Sequence, residues 1–245
     1  MLDKLKLDKV IFIDIETVSQ EKEFSKLSKK WKSLWGKNCT YLISEEETAE
    51  DIYKRAGIYA EFGKVICISV GIYRQFKDNK VFRIKSFYGK NEKQVLKQFC
   101  DLFKKSFQSN DFVLCAHNGK EFDFPFLARR ILVNQLPLPY ILDIAGRKPW
   151  EVQHLDTLQL WKFGDYKNYT SLALLCELFN IKSPKNDMNG SDVGRVYWQE
   201  DNLEKIVKYC QNDTLAVAQL LLAYKGLEQI KDSEVEIISL WEKIL

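Results

Sequence analysis

Apolar positions change their spacing about halfway along the chain. Near the start, Val10-Ile11-Phe12-Ile13-Asp14-Ile15 is a short, almost wholly apolar, β-branched run, the pattern of a strand buried on both faces. Further strand patterns cover residues 64–73, 81–88 and 112–116. Between the last two, Val95, Leu96, Phe99, Leu102 and Phe103 recur at the helical period behind Asn91, a favourable N-cap. Helical patterns then take over, through Phe126-Leu127-Ala128-Arg129-Arg130, from Thr170 to Phe179, and over about 202–224. The last carries the apolar stripe Leu203, Ile206, Val207, Cys210, Val217 and Leu221. A C-terminal helix is expected over about 232–245. With no repeats and no Pro/Gly/Ser linker, the pattern predicts one domain over residues 1–245 with its core at about 8–226. It is α/β, with a mixed central sheet flanked by helices and a helix-rich C-terminal half.

Residues 21–37 stand apart, because Lys22, Lys26, Lys29, Lys30, Lys32 and Lys37 are interleaved with Phe24, Trp31 and Trp35. The helical spacing of Leu27, Trp31, Leu34 and Trp35 predicts an amphipathic helix with tryptophans inward and lysines solvated. The alternative is a grip on single-stranded nucleic acid by phosphate contact and base stacking. The acidic run Glu45, Glu46, Glu47, Glu50 and Asp51 follows Ser44, and Ser44 and Glu47 stand at capping-box spacing for a helix start.

Composition narrows the class. The 245 residues hold 37 Lys+Arg and 34 Asp+Glu, a net charge of +3, with 46% apolar and 29% charged residues. That is an ordinary globular balance, and it argues against a histone-like binder without excluding a nucleic-acid enzyme, whose charge pattern is local. Six cysteines without a C-x-x-C pair, and two histidines, assemble no zinc signature, so reduced thiols are expected. No apolar stretch approaches the roughly 18 residues that span a bilayer, and no signal-peptide core is evident, so a soluble cytoplasmic protein is expected.

The chemistry gathers at acids. Asp14 and Glu16 end the first buried strand, and strand alternation points them the same way, roughly 6–7 Å apart. Paired carboxylates at the end of a buried strand are costly unless a hard divalent cation, Mg²⁺ or Mn²⁺, neutralises them; the plainer alternative is two solvated acids. Asp123 follows a strand end and a Gly-containing loop, where α/β folds commonly place ligands. Tyr209 and Asp213 stand i, i+4 on the long helix, beside its core stripe. Singly, Asp123 and Asp213 read as structural.

Together, the order D-x-E, N-x-x-x-F-D, Y-x-x-x-D resembles the three motifs of the DEDD 3′–5′ exonucleases with tyrosine in the third motif. Proofreading domains of family B DNA polymerases are similar. The run Ala56-Gly57-Ile58-Tyr59-Ala60-Glu61-Phe62-Gly63-Lys64-Val65-Ile66-Cys67-Ile68 resembles a stand-alone bacterial group of polymerase-B-like exonucleases, and no polymerase domain fits in the remaining residues.

The resemblance implies a ribonuclease H-like fold and hydrolysis with two divalent cations. Asp14 would bridge the ions, Glu16 and Asp213 would hold the one activating water, and Asp123 would support the other. Tyr209 would orient the water, and Thr17, Asn118 and Phe122 would face the 3′-terminal nucleotide. For Phe122 a core role is an equal alternative. The implied substrate is single-stranded DNA; RNA trimming and a catalytically silent nucleic-acid-binding module are the alternatives. A separate polymerase or repair partner and the oligomeric state are left open. His117 reads as a satisfied loop histidine, Asp156, after His154, as a helix N-cap, and Lys185 as a candidate phosphate contact.

Overall fold

The computed structural model describes residues 2–42, 46–76, 79–109, 111–165, 169–182 and 188–245. The apolar opening run becomes β1 (Val10–Ser19), followed by β2 (Gly63–Phe76), β3 (Asn79–Tyr88), β4 (Val113–Ala116), β5 (Leu155–Asp156) and β6 (Val235–Ile238). They form one six-stranded sheet in the order β5-β4-β1-β2-β3-β6. β1 is antiparallel to β2 and parallel to β4, so the sheet is mixed, and its centre is the most apolar strand. This is the mixed sheet flanked by helices that the sequence pattern predicts, and it is consistent with the ribonuclease H-like fold that the resemblance implies.

Seven helices among the described residues surround the sheet: α1 (Lys29–Asn38), α2 (Glu92–Ser106), α3 (Asp123–Val133), α4 (Thr157–Lys162), α5 (Leu172–Leu178), α6 (Val193–Trp198) and α7 (Leu203–Tyr224). None is long and apolar enough to cross a membrane. Ile11, Ile13 and Ile15 of β1 pack with Val95, Leu96 and Phe99 of α2 and with Leu127 and Ile131 of α3. Val10 and Phe12 face the other way, against Val217, Leu221 and Leu222 of α7. Strand alternation in β1 thus divides the core into two layers. Asn91 caps α2 as expected, accepting from the Gln94 amide at 3.1 Å. All six cysteines are free.

Residues between β1 and β2 make a small lobe around Trp35, which is fully buried. Its ring meets Tyr53, Tyr59 and Phe62 edge-on, and its indole N–H donates to the Ala49 carbonyl at 2.7 Å. The expected inward turn therefore holds for Trp35, whereas Trp31 and Leu34 remain 40% and 41% exposed. Ser44 of the expected capping box lies outside the described residues. Thr48 and Asp51 instead cap one another: the Thr48 amide and hydroxyl donate to Asp51, and the Asp51 amide donates to the Thr48 hydroxyl.

The C-terminal segment corrects the sequence expectation. The helix expected over about 232–245 is a 3-10 turn (Asp232–Glu234) followed by β6, which pairs parallel with β3 from Phe82↔Val235 to Lys85↔Ile238. A helix of this length is marginal without packing against the core, and pairing at the open edge of β3 gives the segment that tertiary support as a strand. Ile238 and Ile244 then join the α2–α3 core, and the Lys85 ammonium bonds the Glu242 carbonyl.

α7 approaches β2 at Gly71. A Cβ there would stand 2.4 Å from the Phe82 ring and 2.9 Å from Thr214 Cγ2, so α7 seats against the sheet only because this position lacks a side chain. Gly71→Ala should therefore destabilise the fold by about 1–3 kcal/mol through overpacking. Thermal unfolding checks this, and an unchanged melting temperature would refute the tight seat.

Candidate active site

The site is built where β1 loses a neighbour. β4 pairs with β1 only from Val10 to Phe12, while β2 continues alongside to Ser19. Beyond Phe12 one edge of β1 is open. The register with β2 shifts at Glu16/Thr17, where Ile66 is the extra residue of a bulge. Asp14 and Glu16 lie on the α7 face with Phe12, as alternation requires. From α7, Cys210 reaches back under them. Its Sγ donates to the Asp14 backbone carbonyl at 3.3 Å. That sulfur and one carboxylate oxygen each from Asp14 and Glu16 all lie within 4.8 Å of one another.

One helical turn after Tyr209, Asp213 completes the α7 side, close enough that the acid raises the Tyr209 phenol and the phenol holds the Asp213 carboxyl down. Asp123 comes from the opposite layer as the first residue of α3, buried, and its carboxylate accepts from its own amide and from the Ile15 backbone at the open β1 edge. Four acids from three elements therefore share one electrostatic environment. The structure sets Asp14 and Glu16 within 4.8 Å of each other beside Cys210, with Asp123 and Asp213 outside that close group but near enough, like Tyr209, to share its electrostatic field.

The cost of this arrangement shows in the titration of each acid. Burial, then Cys210, Glu16, Asp213 and Asp123, hold the Asp14 carboxyl well above the usual carboxylate range. Burial, then Asp213 and Asp123, do the same to Glu16. Burial raises Asp123 to about 7 and Asp213 to about 6. Burial and the surrounding acids push the Tyr209 phenol far up, so it stays protonated at any working pH. Asp14 Oδ2 is buried without a hydrogen-bond partner. An orphaned carboxylate oxygen among three other acids is a poor place for a proton-free anion and a good place for a cation. The donors are mainly hard carboxylate oxygens, the kind that Mg²⁺ and Mn²⁺ accept. The residues fit a divalent-metal centre.

The β4–α3 loop is organised by Asp156. Its carboxylate caps α4 through the Leu158 and Gln159 amides and also accepts from the Asn118 and Lys120 amides at 3.0 and 3.1 Å. The expected cap is there, but the same side chain also shapes the loop that delivers Asp123. Asn118 sits in the left-handed region (φ 62°), and its side-chain amide has no partner among the described residues. Phe122 is partly buried against the core, with its ring 5.4 Å from that of Phe126. Thr17 donates its hydroxyl to the Gly57 carbonyl at 2.7 Å, so that group is already committed to the fold.

Both His117 nitrogens are engaged, by the Thr157 hydroxyl and the Thr170 carbonyl. His154 accepts from the Leu114 amide and bonds the Ile141 carbonyl, away from the acids. Lys185 lies outside the described residues. Two residues near the acids carried no sequence signal for that position. Cys210 reads as core because it is part of the apolar stripe, and Tyr169 sits in an irregular stretch. The Tyr169 ring meets His117 edge-on at 6.2 Å, and its phenol is raised by burial and by Asp123 and Asp156.

The chain belongs to the family described as predicted 3′–5′ exonucleases related to the exonuclease domain of PolB, whose model matches residues 58–237. The matched stretch contains Asp123, Tyr209 and Asp213. Asp14 and Glu16 precede it and are brought to them by the pairing of β1 with β2.

The pKa values give a signed expectation for the metal-free protein. Asp123 and Asp213 titrate near 7 and 6 in the fold against an ordinary 3.8, so the native state binds more protons and stability is lost as pH rises through 6 and 7. His154, held by burial down to about 4 against 6.5, acts oppositely and costs stability as pH falls from 6.5 to 4. In chelator, denaturant-unfolding stability should thus decline from about pH 6 to about pH 8, and a steady rise over that window would refute the clustered acids. At about pH 8, Asp14→Asn should raise the metal-free melting temperature by about 3–6 °C and weaken the stabilisation added by Mn²⁺.

Proposed function

We propose that this protein is a metal-dependent 3′–5′ exonuclease that releases nucleoside 5′-monophosphates from the 3′ end of DNA, preferably single-stranded. The observation that carries this is the buried, unpartnered Asp14 Oδ2, set beside Glu16 and within the field of Asp123 and Asp213. Asp14, Glu16, Asp123 and Asp213 would hold two divalent ions, Mg²⁺ or Mn²⁺. Bound there, the ions supply what phosphodiester hydrolysis needs, an acidified water and neutralisation of charge on the leaving 3′-oxygen.

The protein's own groups do the remaining work. Tyr209 keeps its proton, so it acts as a hydrogen-bonding group that orients the nucleophilic water and not as a general base. Asp213, one helical turn on, is the neighbouring acid that would direct the hydroxyl. Asn118 offers an amide without a partner among the described residues, suited to the terminal nucleotide, and Phe122 supports it from the start of α3. Thr17 would line the same side through its methyl group, since its hydroxyl serves Gly57. Asp156 contributes indirectly, by holding the loop that carries Asn118. Relation to the PolB exonuclease domain favours DNA over RNA.

DNA and RNA oligonucleotides labelled at the 5′ or 3′ end, incubated with Mg²⁺ or Mn²⁺, test this directly. The expected outcome is a ladder shortening from the 3′ end and faster loss of DNA than RNA. Asp14→Ala should lower the rate about a thousandfold or more, the equivalent of several kcal/mol of charge stabilisation. Tyr209→Phe should cost about a hundredfold or more. Absence of shortening by the intact enzyme would overturn the assignment, and preferential loss of RNA would reassign the substrate.

A further inference from the structure

Positive charge is concentrated in one place on this chain. Residues 21–37 hold six lysines against Glu21 and Glu23, a balance of +4, so with +3 overall the remaining residues sum to −1. None of the six lysines forms an ion pair or a side-chain hydrogen bond with a described residue, and Lys32 alone makes a ring contact, 5.5 Å over Phe24. On α1, the buried Trp35 and Cys39 define the inner face. Helical geometry then directs Lys30 and Lys37 to the opposite side and Lys29 to one flank, spread over roughly 10 Å along the helix. On the other flank, one turn before Trp35, stands Trp31, partly exposed, with its ring edge-on to Phe62 at 5.7 Å.

The placement of this face relative to the acids is what makes it informative. Phe62 accepts the Gln20 amide at 2.9 Å, and the Gln20 side chain bonds the Glu61 carbonyl. Gln20 follows β1 directly and lies four residues past Glu16, about 13 Å along an extended strand. The lobe is therefore anchored at the end of β1 that carries the catalytic acids. Its helix is held firmly, by the Trp35 core and by Ser28, which accepts from the Trp31 amide at 3.3 Å. Unpaired cations beside an exposed aromatic ring are the two elements of sequence-tolerant single-strand binding.

We infer that the exposed side of α1, Lys30 and Lys37 with Lys29 and Trp31 on its flanks, binds the single-stranded nucleic acid a few nucleotides upstream of the 3′ end held at the acids. The lysines take backbone phosphates and Trp31 takes the face of a base. The inference rests on the exonuclease reading for its direction, and it adds a site outside the residues that match the family.

The test is equilibrium binding of the full-length protein, by fluorescence anisotropy in Ca²⁺, to labelled DNA of about 4 and about 20 nucleotides. Turnover of the p-nitrophenyl ester of thymidine 5′-monophosphate in Mn²⁺ is followed alongside. The wild-type protein should bind the long oligonucleotide more tightly than the short one. The triple variant Lys29→Ala, Lys30→Ala, Lys37→Ala should lose about tenfold or more in affinity for the long one, and its salt slope should fall by about 2, near 0.7 per lost phosphate contact. Ester turnover should not change. Trp31→Ala should weaken long-oligonucleotide binding while leaving the salt slope in place. Equal affinity for both lengths, or a triple variant with unaltered affinity and slope, overturns the inference whatever the nuclease assays give. Failure of the wild type to cleave either ester or oligonucleotide would instead count against the exonuclease reading alone.

Discussion

Everything near the site follows from one electrostatic constraint, the gathering of Asp14, Glu16, Asp123 and Asp213 where the sheet is driest. Burial pushes each toward its neutral form, and neighbouring acids add to this for Asp14, Glu16 and Asp123. Without a counter-charge the arrangement opposes folding, and with divalent cations the same closeness becomes a binding free energy. The site is thus a strained part of an otherwise apolar core, a common way for function to be set against stability.

The rest of the fold can be understood as what keeps those acids in place. β1 must be central to bury Asp14 and Glu16, yet it must lose β4 early so that Asp123 can meet the open edge at Ile15. α7 must lie close to the sheet to bring Asp213 and Cys210 over β1, and the absent side chain at Gly71 permits that approach. Asp156 joins the first turn of α4 to the loop before α3 through four backbone amides, which holds that loop firmly. Apart from the two local bonds that cap α4, these contacts join residues far apart in sequence.

The charge of the molecule divides along the same lines. Four of its acids gather at the site, while six lysines without an ion pair to a described residue lie between positions 21 and 37 of the lobe between β1 and β2. A net charge of +3 hides this separation. Under the proposed function, the field that a polyanionic strand would meet is local, set by the acids and the cations they would hold at one end of β1 and by the lysines just beyond it.

By itself the sequence determined the local elements and most of the chemistry. Alternation in the opening run marked a buried strand with two acids on one face, and helical spacing put Tyr209 and Asp213 together, because both patterns are set by backbone geometry within a few residues. Asp156 as a cap was legible for the same reason. Only the tertiary structure decided that the last segment completes the sheet as β6, since a lone strand is stable only against the edge it finds. It alone turned Cys210 from one more core position into a neighbour of Asp14, and Asp156 into the organiser of the Asn118 loop. Those roles depend on which surfaces pack across long stretches of chain, and packing is a property of the assembled core that no local period records.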